Sequence, residues 1–498
     1  MLFNSWEFIV FFPITLLVYY LVPIKYRYIW LLITSYLFYM NWDLKYTLLL
    51  LFSTVITYIG GVVIDVLEKN IQEKDKKILL KKTALISCII INLAILISYK
   101  YYNFFTSAIE NVLAFFDVSI EIPNSTLLLP VGISFYIFQA LGYIIDVYRK
   151  EINAEKNILR YALFVSFFPQ LVAGPIERSK NLLGQLNNIK KFDYDKFVNG
   201  FLLVLWGFFI KLVIADRISG MVDIVYGDIT GYSGTILFVA TVLFAFQIYC
   251  DFAGYSIIAM GTAAMMGFTL MENFNAPYLA ENVNEFWKRW HISLTSWFRD
   301  YLYIPLGGNR KGILSKCVNL LIVFGISGLW HGAAWTYIAW GLINGIYRVI
   351  GEVFKELRKV LRLSWNIGRS RLICKICKII ITFILVDITW IFFRAEGIVD
   401  AIYIFKKILT DWTPNIFWDG SLLRLGMDSK NVLVLLFSLF VLLLADIAKN
   451  NGIIIREIVL KQNFWFQYFF ILISIVSILV FGIWGPAYDA SSFIYFQF

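Results

Sequence analysis

Apolar segments of membrane-spanning length recur along the whole chain, and they constrain its fold more than any other feature. A helix needs about 20 mostly apolar residues to cross a bilayer, and helices satisfy their own backbone hydrogen bonds there. The segments lie near residues 7–22, 27–41, 46–65, 83–99, 127–147, 158–175, 197–214, 234–268, 316–349, 376–393, 431–447 and 464–485. They predict an all-α polytopic membrane protein with about a dozen transmembrane helices.

Three further segments predict details of this architecture. Residues 234–268 and 316–349 are each too long for one simple span, so we expect two short helices or a re-entrant piece in each. Residues 180–197 are amphipathic, which is typical of an interfacial helix. The rest of the chain carries no soluble domain, so residues 1–498 are predicted to form one membrane unit.

Composition supports a membrane protein and excludes a soluble globular one, because 60% of the residues are hydrophobic and 16% are charged. The net charge of +10 could indicate nucleic acid, but cytoplasmic loops of membrane proteins also collect lysine and arginine. These residues crowd the ranges 69–82 and 355–378. We therefore predict that both ranges face the cytoplasm, that the N-terminus lies outside, and that the partners include membrane lipids and no nucleic acid.

The chain has five cysteines, most of them in or beside apolar segments, which does not favour a disulfide framework. Cys374 and Cys377 have the spacing of a metal-binding pair, but no second pair or histidine accompanies them. We predict no metal site.

His331 is one of only two histidines, and it lies within the apolar run 321–340. An ionisable group inside such a run is costly, so its default interpretation is functional. The alternative is a packed histidine that donates a hydrogen bond to a carbonyl of a neighbouring helix. Gly325, Gly328 and Gly332 recur on one helical face nearby, and small residues of this kind let helices approach closely.

His291, the other histidine, lies in the most aromatic and most charged part of the chain. The surrounding apolar residues are spaced at intervals of 3 and 4, which predicts one helix: Trp287, Trp290, Leu294, Trp297 and Tyr301. An interfacial helix with an aromatic belt explains the tryptophans and arginines but not the histidine. The proximity of two histidines in sequence suggests proton transfer at membrane depth.

Two further features point to a buried polar site. Asp251 is a carboxylate within an apolar span, and it could orient a histidine or pair with an arginine and serve packing. Pro169, Gly174 and Pro175 break a helix, and broken helices inside membranes line cavities.

Six motifs in order resemble the membrane-bound O-acyltransferase (MBOAT) superfamily. They are Leu129-Pro-Val-Gly-Ile-Ser-Phe-Tyr136, Phe168-Pro-Gln-Leu-Val-Ala-Gly-Pro175, Asp251-Phe-Ala-Gly-Tyr-Ser256, Met271-Glu-Asn-Phe-Asn-Ala-Pro-Tyr278, Phe286-Trp-Lys-Arg-Trp-His-Ile-Ser-Leu294 and Trp330-His-Gly-Ala333. The segment Asp300-Tyr-Leu-Tyr-Ile-Pro-Leu-Gly-Gly-Asn-Arg310 is similar to the bacterial alginate O-acetyltransferase branch. One position departs from that pattern, because Ile257 stands where the branch has an aspartate.

The resemblance implies an MBOAT fold with a central passage and a catalytic core over roughly residues 125–400. It implies that His331 is the principal catalytic histidine and that His291 is the second. A neutral histidine can take the proton of an acceptor hydroxyl, while the other can polarise the thioester carbonyl or hold the donor in place. The expected supporting residues lie in the same matched segments: Asp251, Trp290, Trp330 and Asp300.

Four other residues have two possible roles each. Arg289, Arg299 and Arg310 could bind the phosphates of the donor, or they could reach lipid headgroups. Tyr495 lies in an aromatic C-terminal motif that resembles those of related Gram-positive acyltransferases. It could carry the acyl group as a relay, or the motif could serve as an interfacial anchor.

By this resemblance the chain is expected to be an acetyl-CoA-dependent O-acyltransferase of the bacterial cell membrane, with no bound cofactor. It would pass acetyl across the membrane for a secreted or cell-wall polysaccharide, together with an extracytoplasmic SGNH-type partner and the polysaccharide synthesis machinery. One alternative is D-alanyl transfer from a carrier protein to teichoic acid, against which the segment Gly307-Gly-Asn-Arg310 argues. Another, from a different class, is a transporter of a lipid-linked sugar.

Overall fold

The computed structural model describes residues 1–360 and 371–484, and within those ranges the chain is helical and contains no β-strand. Eight helices of the described ranges are long and apolar enough to cross a membrane: Leu44–Asn70, Lys74–Phe115, Tyr194–Gly227, Gly234–Met265, Gly312–His331, Leu372–Arg394, Ser429–Asn450 and Phe464–Phe481. Two shorter apolar helices, Trp6–Leu21 and Ile133–Tyr148, accompany them. The prediction of an all-α polytopic membrane protein is confirmed.

Backbone proximity divides the chain into two compact units. The first consists of Met1–Phe201 and Ala259–Met271, and the second of Leu202–Ile258 and Glu272–Phe498. The interpretation of residues 1–498 as a single domain stays a prediction.

The first unit is built mainly from nine helices. They are α1 (Trp6–Leu21), α2 (Arg27–Met40), α3 (Leu44–Asn70), α4 (Lys74–Leu96), α5 (Tyr102–Phe115), α6 (Ile133–Tyr148), α7 (Ile158–Ser166), α8 (Phe168–Leu171) and α9 (Ser179–Asn187). The π-helical segment Ile97–Tyr101 joins α4 to α5, and the three together form the apolar helix Lys74–Phe115. The break predicted around Pro169 is confirmed, because α7 ends at Ser166 and α8 is a single turn.

The basic loop after α3 is anchored by one carboxylate. Glu68, in the last turns of α3, forms ion pairs with Lys81 at 2.6 Å, Lys150 at 2.8 Å and Lys77 at 3.7 Å. The end of α3, the start of α4 and the end of α6 therefore meet at the same end of the first unit.

The second unit contains most of the remaining helices. The chain enters it through α10 (Tyr194–Phe208) and continues through α11 (Asp216–Gly227), α12 (Gly234–Met265), α13 (Val283–Arg289), α14 (Ile292–Phe298), α15 (Gly312–His331), α16 (Trp335–Val360), α17 (Arg371–Arg394), α18 (Ile398–Thr410), α19 (Ser429–Asn450), α20 (Ile455–Leu460) and α21 (Phe464–Phe481). Its π-helical segment Phe209–Ala215 joins α10 to α11. Residues 194–201 of α10 and 259–265 of α12 belong to the first unit.

The two long apolar segments behave differently. Residues 316–349 are divided between α15 and α16, as predicted, and the chain turns at residues 332–334. The prediction of a break within residues 234–268 is wrong, because α12 is one helix of 32 residues. Its Gly254 lies against the backbone of Gly207 on α10, so this glycine permits close helix approach and does not end the helix.

Glycines also hold α15 against α16. A Cβ atom at Gly341 would overlap the carbonyl oxygen of Phe324 and lie 3.1 Å from Cα of Gly328. The expected role of the small residues around Gly328 is confirmed, and their close contact fixes the end of α15, where His331 lies.

Candidate active site

The structure brings both histidines of the chain together in the second unit. The ring centroids of His291 and His331 are 6.4 Å apart, and the two side chains are 1% and 4% exposed. Forty residues of sequence separate them, so the fold creates a buried imidazole pair that neither motif contains alone.

His331 is oriented by its own helix. Its Nδ1 donates a hydrogen bond to the carbonyl oxygen of Ser327, one turn earlier in α15, at 2.7 Å. A carbonyl oxygen can only accept, so the proton lies on Nδ1 and Nε2 carries the lone pair of the neutral ring. Among the aromatic rings around it, those of Trp340 and Phe393 have centroids 4.8 Å and 5.7 Å away.

His291 lies at a break between two helices, which corrects the prediction of one continuous helix through Trp287 and Tyr301. Helix α13 ends at Arg289, and α14 begins at Ile292. His291 itself adopts the left-handed conformation, with φ of 42° and ψ of 54°. The 3-and-4 spacing persists across the break, because Trp287, Trp290, Leu294 and Trp297 are all buried.

A neighbouring segment of the chain stabilises this break. The backbone N–H of Asn275 donates to the carbonyl of Arg289 at 2.9 Å, and the N–H of Ile292 donates to the carbonyl of Asn273 at 2.9 Å. The helical hydrogen bonds lost at the break are thus replaced by bonds to residues 273–275. The side chain of Asn273 also contacts His291, with Oδ1 and Nδ1 3.1 Å apart.

Aromatic side chains enclose the histidine pair. The ring of Trp330 lies 4.9 Å from that of His331 and 5.9 Å from that of His291, and Phe252 packs edge-on against His291 at 4.7 Å. Burial and the neighbouring His331 hold the pKa of His291 well below its ordinary value. Burial therefore favours the neutral form of the His291 ring.

Trp290 packs against other aromatic side chains next to His291. It is 2% exposed, its ring stacks on Phe286 at 5.4 Å, and it contacts Trp390 on α17 at 5.1 Å. Its packing holds the last turn of α13, immediately before His291. Sequence reasoning singled out Trp290 and Trp330 but missed Trp340 and Trp390, because apolar aromatic residues in apolar helices carry no distinguishing signal.

Asp251 pairs with a lysine, where the sequence suggested an arginine or a histidine. Nζ of Lys211 lies 2.5 Å from Asp251 and 2.6 Å from Asp216, and all three side chains are at most 5% exposed. The charged group of Lys211 is thus compensated within the protein. Because Phe252 follows Asp251 on α12 and contacts His291, this ion cluster anchors the helix that borders the histidine pair.

The predicted donor-binding arginines differ in their surroundings. Arg289 donates to Glu285 at 2.5 Å and to Asn450 at 2.7 Å. Arg299 pairs with the adjacent Asp300 at 2.7 Å, and its side chain is 63% exposed. Arg310 is exposed. The donor-binding role of all three arginines and the supporting role of Asp300 stay predictions.

Two other sequence predictions are not settled by the geometry. Tyr495, considered as an acyl relay, lies outside the described residues. In the part of the chain that the structure describes, no three histidine, cysteine or acidic side chains are grouped as metal ligands would be.

Comparison with known proteins decides the family. The model of the membrane-bound O-acyltransferase family matches residues 149–394, which include both histidines. A probable alginate O-acetylase of Pseudomonas putida is 38% identical over 415 residues, covering 83% of this chain and 81% of the relative. The chain belongs to the membrane-bound O-acyltransferase family.

Other relatives of this acyltransferase carry two further activities in their names. A peptidoglycan O-acetyltransferase of Helicobacter pylori is 33% identical over 76% of this chain and 73% of its own length. A teichoic acid D-alanyltransferase of Bacillus subtilis is 28% identical over 48% of this chain and 62% of its own length. The protein is thus a multi-pass membrane O-acyltransferase, and its resemblance to that family is confirmed.

Proposed function

We propose that this acyltransferase takes acetyl from cytoplasmic acetyl-CoA and passes it across the bacterial cell membrane for O-acetylation of a secreted or cell-wall polysaccharide. The buried pair of His291 and His331 carries this proposal, because it offers two imidazoles in one enclosure within a family of acyltransferases. A thioester is already activated, so the chemical task is to remove the proton of an acceptor hydroxyl as the new ester bond forms.

His331 is the proposed general base. With its proton on Nδ1, Nε2 is free of a proton and can take the one from the acceptor hydroxyl. The hydroxyl oxygen bonds to the thioester carbonyl carbon, and the carbon–sulfur bond breaks. The sulfur of coenzyme A leaves as a thiolate and takes the proton back from the imidazolium of His331. Every proton and electron pair is accounted for without a metal or redox cofactor.

His291 is assigned to holding a substrate. Its proton also lies on Nδ1, so the neutral ring offers an acceptor at Nε2 and no donor there. An acceptor nitrogen cannot polarise a carbonyl by hydrogen bonding. It can receive a hydrogen bond from an amide of the pantetheine arm or from the acceptor hydroxyl, and this favours the holding role over the polarising one.

Relatives named for O-acetylation favour acetyl as the group transferred. They cover more than three quarters of this chain, whereas the D-alanyltransferases cover less than half. D-alanyl transfer is the second candidate, since its enzymes share the family. Membership in an acyltransferase family removes the support for a sugar transporter. Transfer to the polysaccharide is proposed to require an SGNH-type partner outside the membrane and the polysaccharide synthesis machinery.

The donor is tested with purified protein in detergent. Acetyl-CoA or a D-alanyl carrier protein is supplied together with the polysaccharide and the extracytoplasmic protein fraction of the same cells, which contains the proposed SGNH-type partner, and thiol release is measured. We expect release from acetyl-CoA by the wild-type protein and none by His331→Ala. Release from the D-alanyl carrier alone would contradict the acetyl donor, and equal release by the variant would contradict the role of His331.

A further inference from the structure

The side chain of Asn273, which the sequence analysis did not single out, forms several polar contacts with residues of the site. It is 1% exposed. Its Oδ1 accepts from the backbone N–H of Ser293 at 3.2 Å and from the Ser293 hydroxyl at 2.8 Å, and it lies 3.1 Å from Nδ1 of His291. Its Nδ2 donates to the hydroxyl of Ser256 on α12 at 3.1 Å.

This network fixes which nitrogen of His291 carries the proton. The backbone N–H of Ser293 can only donate, so the atom of Asn273 facing it must be the amide oxygen. The same oxygen faces Nδ1 of His291, and an oxygen of this kind can only accept. Nδ1 therefore holds the proton, and Nε2 is left as the acceptor.

The backbone carbonyls of the segment that contains Asn273 also accept hydrogen bonds from other parts of the chain. The carbonyl of Asn273 receives the N–H of Ile292, directly after His291. Nζ of Lys449 donates to the carbonyl of Phe274 at 2.8 Å, and Arg289 donates to the carbonyl of Ala276 at 3.4 Å. Arg289 and Lys449 thus anchor the loop that presents Asn273, which restricts the freedom of its side chain.

We propose that Asn273 is a positioning residue that fixes the tautomer and ring orientation of His291 for acyl transfer. Its oxygen acts on Nδ1, and its backbone supports the left-handed conformation that aims the ring toward His331. In metal sites, groups that bond the other ring nitrogen of a ligating histidine fix its tautomer and orientation, and their loss typically lowers metal affinity or activity by about 10- to 100-fold. We expect a loss of activity of that order in Asn273→Ala. The kinetic part of this inference rests on the proposed function, whereas the tautomer does not.

The chain itself supplies a clean measurement, because it contains only two histidines. Protein labelled with ¹⁵N-histidine gives ring nitrogen resonances from His291 and His331 alone, and His291→Gln assigns them. In the wild type we expect both rings to be protonated at Nδ1. In Asn273→Ala, His291 should become a mixture of tautomers while His331 stays unchanged.

Asn275→Ala is the matched control. It removes the same amide group two residues away, and Oδ1 of Asn275 has no hydrogen-bond partner in the described structure. We expect this variant to keep the wild-type spectrum. An unchanged His291 tautomer in folded Asn273→Ala, or the same disturbance in Asn275→Ala, would overturn the proposal.

Asn273→Asp provides a second test if Asn273→Ala does not fold. The aspartate keeps an acceptor for His291 and Ser293 but adds a negative charge, which stabilises the imidazolium and raises the pKa of His291. His331 is the titratable group in ring contact with His291. Because His291 must be neutral to accept, the acid limb of the pH profile of kcat should move upward by about one unit or more, with KM for acetyl-CoA little changed.

A uniform fall of kcat at every pH would indicate a merely structural residue and contradict the positioning role. Failure of the proposed function gives a different result. In that case wild-type protein would not transfer acetyl at all, and the ¹⁵N spectra of Asn273→Ala would still decide whether Asn273 sets the tautomer.

Discussion

At the scale of single residues, the chemistry of the site depends on where two imidazole protons lie. Both Nδ1 atoms face oxygens, namely the Ser327 carbonyl for His331 and the Asn273 amide for His291. Both Nε2 atoms are then proton acceptors in the neutral state. Both Nε2 atoms can therefore accept a proton or a hydrogen bond. This suits the deprotonation of a hydroxyl better than the polarisation of a carbonyl, which needs a donor.

The first prediction at this scale concerns His331. Replacing it with alanine removes the proposed base, so acetylation of the polysaccharide should fall at least 100-fold, within the usual range for general-base catalysis of about 10²–10⁴. His291→Ala should lower it severely but by less. The measurement is the acetyl content of the polysaccharide from cells with equal amounts of each protein in the membrane. Normal acetylation with His331→Ala would disprove the mechanism.

Arg310 gives a second residue-scale prediction. Arg289 is bonded within the protein and Arg299 pairs with Asp300, so the exposed Arg310 is the best remaining candidate for the donor phosphates. Arg310→Ala should raise KM for acetyl-CoA several-fold and leave kcat nearly unchanged, which initial-rate kinetics can measure. Arg299→Ala is the comparison: because its guanidinium is paired with Asp300, this change should raise KM for acetyl-CoA less than Arg310→Ala does. An unchanged KM in Arg310→Ala would favour contact with lipid headgroups.

At the scale of helices, the sequence predicted two breaks correctly, predicted one in α12 that does not exist and missed the one at His291. The division of residues 316–349 into α15 and α16 was foreseen from length, and the helix break near Pro169 from its residue types. The break at His291 was missed because its backbone is satisfied by residues 273–275, which are distant in sequence and invisible to a local periodicity. Asn273 was missed as a site residue for the same reason.

The close contact of α15 and α16 leads to a prediction about glycine. Gly341→Leu should prevent folding or remove activity, because even a Cβ atom there overlaps the backbone of α15. Gly351, on the same helix, faces open space, so Gly351→Ala should leave the melting temperature unchanged or raise it slightly. Thermal denaturation of both variants in detergent measures the difference. A Gly341→Leu protein as stable as Gly351→Ala would contradict this packing.

At the scale of the whole molecule, the orientation in the membrane is still a prediction. Near the end of α3, Glu68 forms ion pairs with Lys81 and Lys150. At the start of α3, the Tyr46 hydroxyl donates a hydrogen bond to the carbonyl of Leu128. The two ends of α3 therefore mark opposite ends of the first unit, one of them strongly basic. Basic loops of membrane proteins face the cytoplasm. We therefore predict that the N-terminus lies outside.

Cysteine labelling tests this orientation. In a protein without native cysteines, Lys76→Cys should resist a membrane-impermeant thiol reagent in intact cells, and Asn124→Cys at the other end should react. Both should react once the cells are opened. Labelling of Lys76→Cys from outside would reverse the assigned topology.

The Lys211 cluster has a consequence for how the chain enters the membrane during synthesis. The π-helical turn Phe209–Ala215 places the N–H of Asp216 on the carbonyl of Lys211, and the same five-residue spacing brings the two side chains into contact. The segment Tyr194–Gly227 therefore carries its own counter-ion. Lys211 and Asp216 can therefore enter the membrane together as a neutral ion pair. This can happen before α12 is synthesised, so Asp251 is not needed at that stage.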